Sequence, residues 1–414
     1  MRHRVIAMTV LLAGVTYLDR IAIGVLAPQI RKDLGLSMQQ MSMVFFVFSV
    51  AYGVFEVPTA AWADRIGARS VVTRIVLWWS LFTIATAGAW NYISMLVIRF
   101  LFGAGEAGAW PSVGRVYSRW IPARERGKTQ GVFFAGAHLA GAITPGIVYW
   151  LLRYMEWRMV FVVFGILGML WALSWWLWFR DEPRDKAGTS PEEVKLIESG
   201  RGLAVNAHGN WKVVFKNPSV IWLCVSHFAN TYGTFFVMTW MPTYLKEGRG
   251  MSTEHVVIFA GLPMLFAVPA DLAGGWTTDY VTRRLGLSWG RAGVAGASYF
   301  TAMLAMFFGA AAPDPHISGV LLALAYGLSM FSLGAAFSFC IDIGKENSAV
   351  MTATMNTAGQ VGGALSPVVL AWVVQNTGNW TLPLYIMSGL YLCAVMAWWM
   401  IGRQVRDTVI DGQH

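Results

Sequence analysis

Charged side chains inside apolar stretches mark where this chain can do chemistry. The stretch Arg99-Phe-Leu-Phe-Gly103-Ala-Gly-Glu106-Ala-Gly-Ala-Trp-Pro111 places a cation and an anion seven residues apart within a long apolar run. At about 100° per residue, Arg99, Gly103 and Glu106 share one helix face. A charge at bilayer depth costs roughly 2.5–3.5 kcal/mol on insertion scales. Two of them beside a glycine predict a helix that faces a polar cavity and packs tightly on its neighbours. The structural alternative is an ion pair that locks two helices. Asp19-Arg20 forms a second charged pair, midway along the first apolar segment. Adjacent residues point about 100° apart, so these two address different partners. The planar fork of Arg20 suits bidentate carboxylate binding. Asp19 then titrates with a proton or neutralises another cation, the alternative being a locking network of Asp19 with Arg99.

Glu106 is the stronger candidate for carrying a proton. A poorly solvated cavity favours the neutral acid and a nearby guanidinium favours the carboxylate. A cycle that moves Arg99 toward Glu106 and away again would therefore load and release a proton. Tyr17 lies three residues before Arg20 on nearly the same face, and Tyr52 lies on the second apolar segment. Each offers a hydroxyl and a ring to a polyol or carboxylate. Asn356 and Gln360, one turn apart, are candidates to read substrate hydroxyls, against ordinary interhelical hydrogen bonding. Ser338 is a weaker candidate. His138 and His227 are the intramembrane histidines, with His227 read as a neutral hydrogen-bonding residue.

The elements that must position these residues follow from composition. Of 414 residues, 56% are hydrophobic and 13% charged, and mean hydropathy is +0.52. This is the composition of an all-α polytopic membrane protein. Twelve apolar segments are long enough to span, roughly 5–29, 41–61, 71–90, 93–114, 129–151, 159–179, 219–243, 255–278, 290–311, 317–341, 349–373 and 382–402. They predict an N-terminal six-helix bundle over 1–179, a linker over 180–217, a C-terminal bundle over 218–403 and a tail over 404–414. Within the linker, Ser190-Pro191-Glu192-Glu193 reads as the start of a short helix, with Ser as N-cap and Pro at the first position. Arg2, Arg4 and the apolar run after them resemble a signal peptide. No small-residue cleavage site follows, so a retained first helix is expected. Cys224, Cys340 and Cys393 all lie in apolar runs and predict neither a disulfide framework nor a metal motif.

Of the 31 Lys and Arg, 23 fall on the side of both termini, six on the other side, and Arg20 and Arg99 within segments. The positive-inside rule then predicts cytoplasmic termini and linker. The +9 charge is explained by topology without invoking nucleic acid. The halves also repeat. Ala27-Pro28-Gln and Met241-Pro242-Thr leave the first and seventh segments with prolines 214 residues apart. Asp64 and Asp279, in the loops after the second and eighth segments, lie 215 apart. Glu56 and Asp271 each precede their loop aspartate by eight residues, about 12 Å of helix. That spacing suits a role in closing the cytoplasmic side, against a cap or local contact. Two parallel six-helix repeats suggest a transporter with a midplane site.

With these residues in view, the chain resembles the major facilitator superfamily. Asp64-Arg65-Ile-Gly-Ala-Arg69 looks like its signature loop, echoed at Asp279, with Ala60 where the signature's first glycine would stand. Tyr17-Leu-Asp-Arg20, the Arg99–Glu106 segment, Thr239-Trp-Met-Pro-Thr-Tyr244 and Asn356 look like the anion:cation symporter family of hexonate, hexuronate and aromatic-acid permeases. Sialin and the vesicular glutamate carriers are distant relatives of that group. The resemblance implies the major facilitator fold, with two pseudo-symmetric six-helix bundles. It implies proton coupling at Asp19 and Glu106, with Arg99 beside them, and substrate binding at Arg20, Tyr17 and Tyr52. It implies gating at Asp64, Arg65, Arg69 and Asp279, where pairing only in the closed state biases a two-state equilibrium.

The expected function is proton-coupled symport of a small organic anion, a sugar acid such as a hexonate or hexuronate, by alternating access. The alternatives are an aromatic or dicarboxylic acid symporter and, in another class, a membrane sensor that binds the anion without moving it. Drug/proton antiport fits poorly, because two midplane arginines repel cations. An intramembrane enzyme lacks HExxH, GxSxG and any metal cluster. No cofactor is expected beyond the co-transported proton. A monomer in the inner membrane is expected.

Overall fold

The computed structural model describes residues 1–199, 218–344 and 348–411, and among these every regular element is helical. Contacts divide the chain into two compact units, Met1–Val205 and Asn206–His414. The first holds α1 (Arg2–Leu34), α2 (Met38–Ile66), α3 (Ala68–Ala87), α4 (Tyr92–Glu106), α5 (Ala109–Trp120), α6 (Ala123–Leu151), α7 (Trp157–Trp178) and the short α8 (Pro191–Ser199). The second holds α9 (Pro218–Thr239), α10 (Thr253–Leu287), α11 (Val294–Ala311), α12 (Pro315–Phe331), α13 (Leu333–Gly344), α14 (Ser348–Thr377) and α15 (Leu382–Asp411).

Among the described residues, eleven stretches are long and apolar enough to cross a bilayer, and one of them, Thr253–Ala311, is 59 residues long. As a single helix it would measure about 88 Å, nearly three times the hydrocarbon thickness. It is instead broken at Gly286 (φ 83°, ψ 174°), just before a π-helical turn over Ser288–Gly293. That gives two crossings, and twelve in all among the described residues. Two spans are themselves interrupted. The fourth breaks between Glu106 and Ala109, and the tenth at Ser332.

Within each unit the helices pair in the same pattern. In the first, α1 packs on α6, α2 on α4 and α3 on α7; in the second, α9 packs on α14, α10 on α12 and α11 on α15. The repeat reaches single residues. Gly35 (φ 65°) ends α1 and Gly250 (φ 66°) follows the π-helical turn Tyr244–Gly248 after α9, 215 residues apart and both in the left-handed region that glycine adopts without strain. Glycines also permit close crossings. A Cβ on Gly103 would lie 2.6 Å from the Phe48 carbonyl of α2. One on Gly362 would lie 2.4 Å from the Phe228 carbonyl, so α14 seats directly on the α9 backbone.

Helix ends are satisfied locally. Asn91 and Ser94 form a reciprocal capping box at the start of α4. Asp314 accepts the His316 and Ile317 amides at 2.7 and 3.1 Å to start α12. Arg158 donates to the carbonyls of Ala87 and Ala89 and to Asp33, closing the far end of α3. The linker helix begins as its sequence predicts: the Ser190 hydroxyl accepts the Glu193 amide at 3.2 Å, with Pro191 first in the helix. The expected tail is helical as far as Asp411.

Candidate functional site

α1, α2 and α4 bring Tyr17, Asp19, Arg20, Tyr52, Glu56, Arg99 and Glu106 together inside the first unit, and α5 adds Trp110. Arg20 donates its Nε to Glu106 Oε1 at 2.9 Å, with the Arg20 side chain 13% exposed and Glu106 fully buried. Three rings surround the guanidinium. Its central carbon lies 4.8 Å from the Tyr52 ring centroid, 5.6 Å from Phe48 and 5.9 Å from Trp110, a cation–π collar that compensates lost hydration. Tyr17 stands edge-on to Trp110 and to His138, at 6.3 and 5.8 Å. Arg20 Nη2 and Glu106 Oε2 are buried without a hydrogen-bond partner. The pair is thus singly bonded where a two-point fork is available.

Asp19 points toward Thr83 and Trp79 of α3, and its carboxylate feels the charges of both Glu106 and Arg99 of α4. It is 1% exposed, and neither carboxylate oxygen is within hydrogen-bond geometry of a donor. Arg99 lies over the Phe102 ring at 4.2 Å and the Phe48 ring at 5.2 Å. The divergent directions expected for Asp19 and Arg20 are what the helix gives. The direct bond to Glu106 comes from Arg20 on α1, while Arg99, seven residues back on the same helix face, acts on Glu106 electrostatically without that bond.

Glu56 sits one turn beyond Tyr52, half-buried and close enough to Arg20 and Tyr52 to interact electrostatically with both. Arg69 is committed within its own unit. It donates twice to the Trp176 carbonyl at the end of α7, at 3.0 and 2.7 Å, and stacks on that residue's ring. Asp181 accepts the Arg69 amide at 3.1 Å and so caps α3. The side chains of Asp64 and Arg65 lie outside the described residues. In the second unit Arg291 bridges Asp279 at 2.9 Å and Asp342 at 2.8 Å. Asp271 is half-buried on α10.

Asn356 and Gln360 belong to the second unit, one turn apart on α14 and both half-buried. Gln360 Oε1 is buried without a hydrogen bond. Gly359 between them seats α14 against His227 and Thr231 of α9.

Sequence reasoning missed Phe48, Trp110, Arg291 and Asp342. Phe48 was accessible as the residue one turn before Tyr52, and Trp110 as the aromatic one turn after Glu106. Arg291 reads as a loop residue in sequence, yet its side chain is only 9% exposed, because the π-helical turn carries it inward.

The sequence matches the Major Facilitator Superfamily profile over residues 9–367. A probable sulfoacetate transporter of Cupriavidus necator is 31% identical, covering 94% of this chain and 91% of the relative. A hexuronate transporter of Bacillus subtilis is 29% identical, covering 93% and 91%. A probable L-galactonate transporter of Escherichia coli is 25% identical, covering 95% and 87%. In fold, a bacterial homologue of the human lysosomal transporter Spinster superposes with a TM-score of 0.78 at 19% identity, covering 97% of both chains. The Escherichia coli xylose transporter XylE superposes with a TM-score of 0.73 at 15% identity, covering 95% and 97%.

Proposed function

The chain belongs to the major facilitator superfamily of membrane transporters, and we propose that it imports a small organic anion, a sugar acid of the hexonate or hexuronate class, together with protons. The observation that carries this reading is the buried Arg20–Glu106 pair within its collar of Phe48, Tyr52 and Trp110. An ionised Glu106 occupies Arg20. When Glu106 takes a proton, that hold is released, and a substrate carboxylate replaces it with a bidentate grip on Nε and Nη2. Protonation and anion binding therefore favour each other, and by linkage each strengthens the other by the same factor. The collar rings cover the less polar face of the substrate. Tyr17 and Tyr52 offer hydroxyls on the same side. Asp19, within electrostatic range of Glu106 and Arg99, is assigned a second proton, and Glu56, Asp271, Arg69, Asp64, Arg65 and Asp279 a part in closing the cytoplasmic side. Asn356 and Gln360 are assigned the reading of hydroxyls, so Asn356→Ala is expected to change preference among stereoisomers. The Lys and Arg distribution supports cytoplasmic termini in a plasma membrane.

The names of the relatives support an organic anion and keep a second reading open. Arg20 grips a sulfonate by the same fork as a carboxylate, so a sulfonated acid belongs in the substrate panel beside hexonates, hexuronates and aromatic acids. The deciding experiment is uptake of that panel into proteoliposomes under an inward proton gradient, with Glu106→Gln alongside. Gradient-driven accumulation of a sugar acid is expected in the parent protein. In the variant, counterflow is expected to persist without accumulation. If ligands bind and none accumulates or exchanges, the chain is a sensor and the proposal fails.

A further inference from the structure

His255 and His316 stand in the first turns of α10 and α12, at the end of the second unit where α9 ends. His316 Nε2 and His255 Nδ1 are 3.3 Å apart, and the rings meet at 4.6 Å with planes at 85°. Asp314 Oδ1 lies 3.4 Å from His316 Nδ1, and Phe259 backs the His316 ring at 5.5 Å. Both imidazoles are exposed.

We propose that this pair is a binding site for a divalent transition-metal ion of the zinc or nickel type. Two imidazole nitrogens at 2.0–2.1 Å from a tetrahedral ion lie about 3.3–3.4 Å from each other. The pair already has that separation, and exposed rings need only rotate to aim both lone pairs at one point. Asp314 supplies the outer partner. A carboxylate beside Nδ1 favours the proton there and leaves the Nε2 lone pair on the side facing His255, the arrangement that orients metal-binding histidines. Asp314 is in turn fixed by the His316 and Ile317 amides. Among the described residues no group of three or more His, Cys, Asp or Glu is spaced to hold a metal. The site therefore offers two protein donors with water completing the shell, which makes the ion exchangeable. Imidazole donors select Zn2+, Ni2+ and Cu2+ over Mg2+ and Ca2+. A bound ion clips together the ends of α10 and α12, which pack along their length.

The test is calorimetric titration of the purified, untagged full chain with ZnCl2 and with NiCl2, using MgCl2 as control. One ion per chain is expected, with affinity at least tenfold weaker in His255→Ala and in His316→Ala. Asp314→Asn keeps a good helix cap and is expected to weaken binding by about tenfold. Zn2+ is expected to raise the unfolding temperature of the parent protein and of neither histidine variant. Should an alanine variant fail to fold, His255→Gln and His316→Gln take its place. No saturable binding, binding unchanged in both histidine variants, or equal affinity for Mg2+ overturns the proposal.

Discussion

Replacing Gly103 by alanine is expected to disturb the Arg20–Glu106 pair without touching either residue. The new Cβ would lie 2.6 Å from the Phe48 carbonyl oxygen, 3.1 Å from the Phe48 ring and 3.2 Å from Ala51 Cβ. The nearest obstacle is backbone, which has no rotamer to escape into. Restoring an ordinary contact of about 3.4 Å moves α4 from α2 by about 0.8 Å. Glu106 lies on the same rigid helix less than one turn away, so its 2.9 Å bond to Arg20 stretches to about 3.7 Å, outside hydrogen-bond range. Overpacking of this kind costs about 1–3 kcal/mol of stability. Loss of a hydrogen bond to a charged group, about 1.5–3 kcal/mol, corresponds to a fall of about tenfold or more in proton-driven uptake. The assay is thermal unfolding in detergent beside uptake in proteoliposomes. Gly53→Ala on α2, with nothing within 4 Å of its added Cβ, is the control and is expected to match the parent protein. If Gly103→Ala unfolds at the parent temperature and transports at the parent rate, the close crossing does not position the pair and the reasoning is refuted.

Three further outcomes are expected. Arg158→Ala leaves the Ala87 and Ala89 carbonyls without their side-chain donor and is expected to cost about 1–3 kcal/mol; Arg158→Lys, with no fork, should recover only part, and full recovery on thermal unfolding would contradict this account. Asp279→Asn removes an acid that is 61% exposed and should cost at most about 1 kcal/mol, whereas Arg291→Gln, which strands Asp342 as well, should cost more; equal effects would show that Arg291 is not a bridge. The Ile317 and His316 amides hold the Asp314 carboxylate below its ordinary value. Its cap is therefore fully in place above the ordinary carboxylate range and is lost as pH falls through the depressed value. Amide exchange in the first turn of α12 should accelerate with acidification beyond the intrinsic trend, and Asp314→Asn should remove that excess.

Much of the fold was legible because its physics is local to the sequence. Apolar length gives the spans, the 215-residue echo of Asp64 at Asp279 gives the repeat, and Ser190-Pro191 gives the linker helix start. What escaped was set by backbone departures that apolar counts do not register. The break after Glu106 and the π-helical turn at Ser288–Gly293 are of this kind, and the latter turned a presumed loop arginine into a buried bridge. In the site, the divergence of Asp19 and Arg20 follows from helix geometry alone. The partner of Glu106 does not, because it depends on how α1 lies against α4. Arg99 and Glu106 share a face and feel each other's charge, yet the direct bond to Glu106 comes from another helix. The collar of Phe48 and Trp110 was hidden among many aromatic residues of a membrane chain, where ring identity says little until the charge beneath the rings is located.

The adjacency of Asp19 and Arg20 makes α1 behave like a camshaft. The two lobes sit about 100° apart on one stiff shaft, one bearing on Glu106 and the other on the Thr83–Arg99 side. Any roll or slide of α1 that lifts Arg20 from Glu106 shifts Asp19 in the same stroke, so the two contacts keep a fixed phase. Inserting one residue between them would advance the second lobe by about another 100° and put the strokes out of time, although every side chain of the site would still be present.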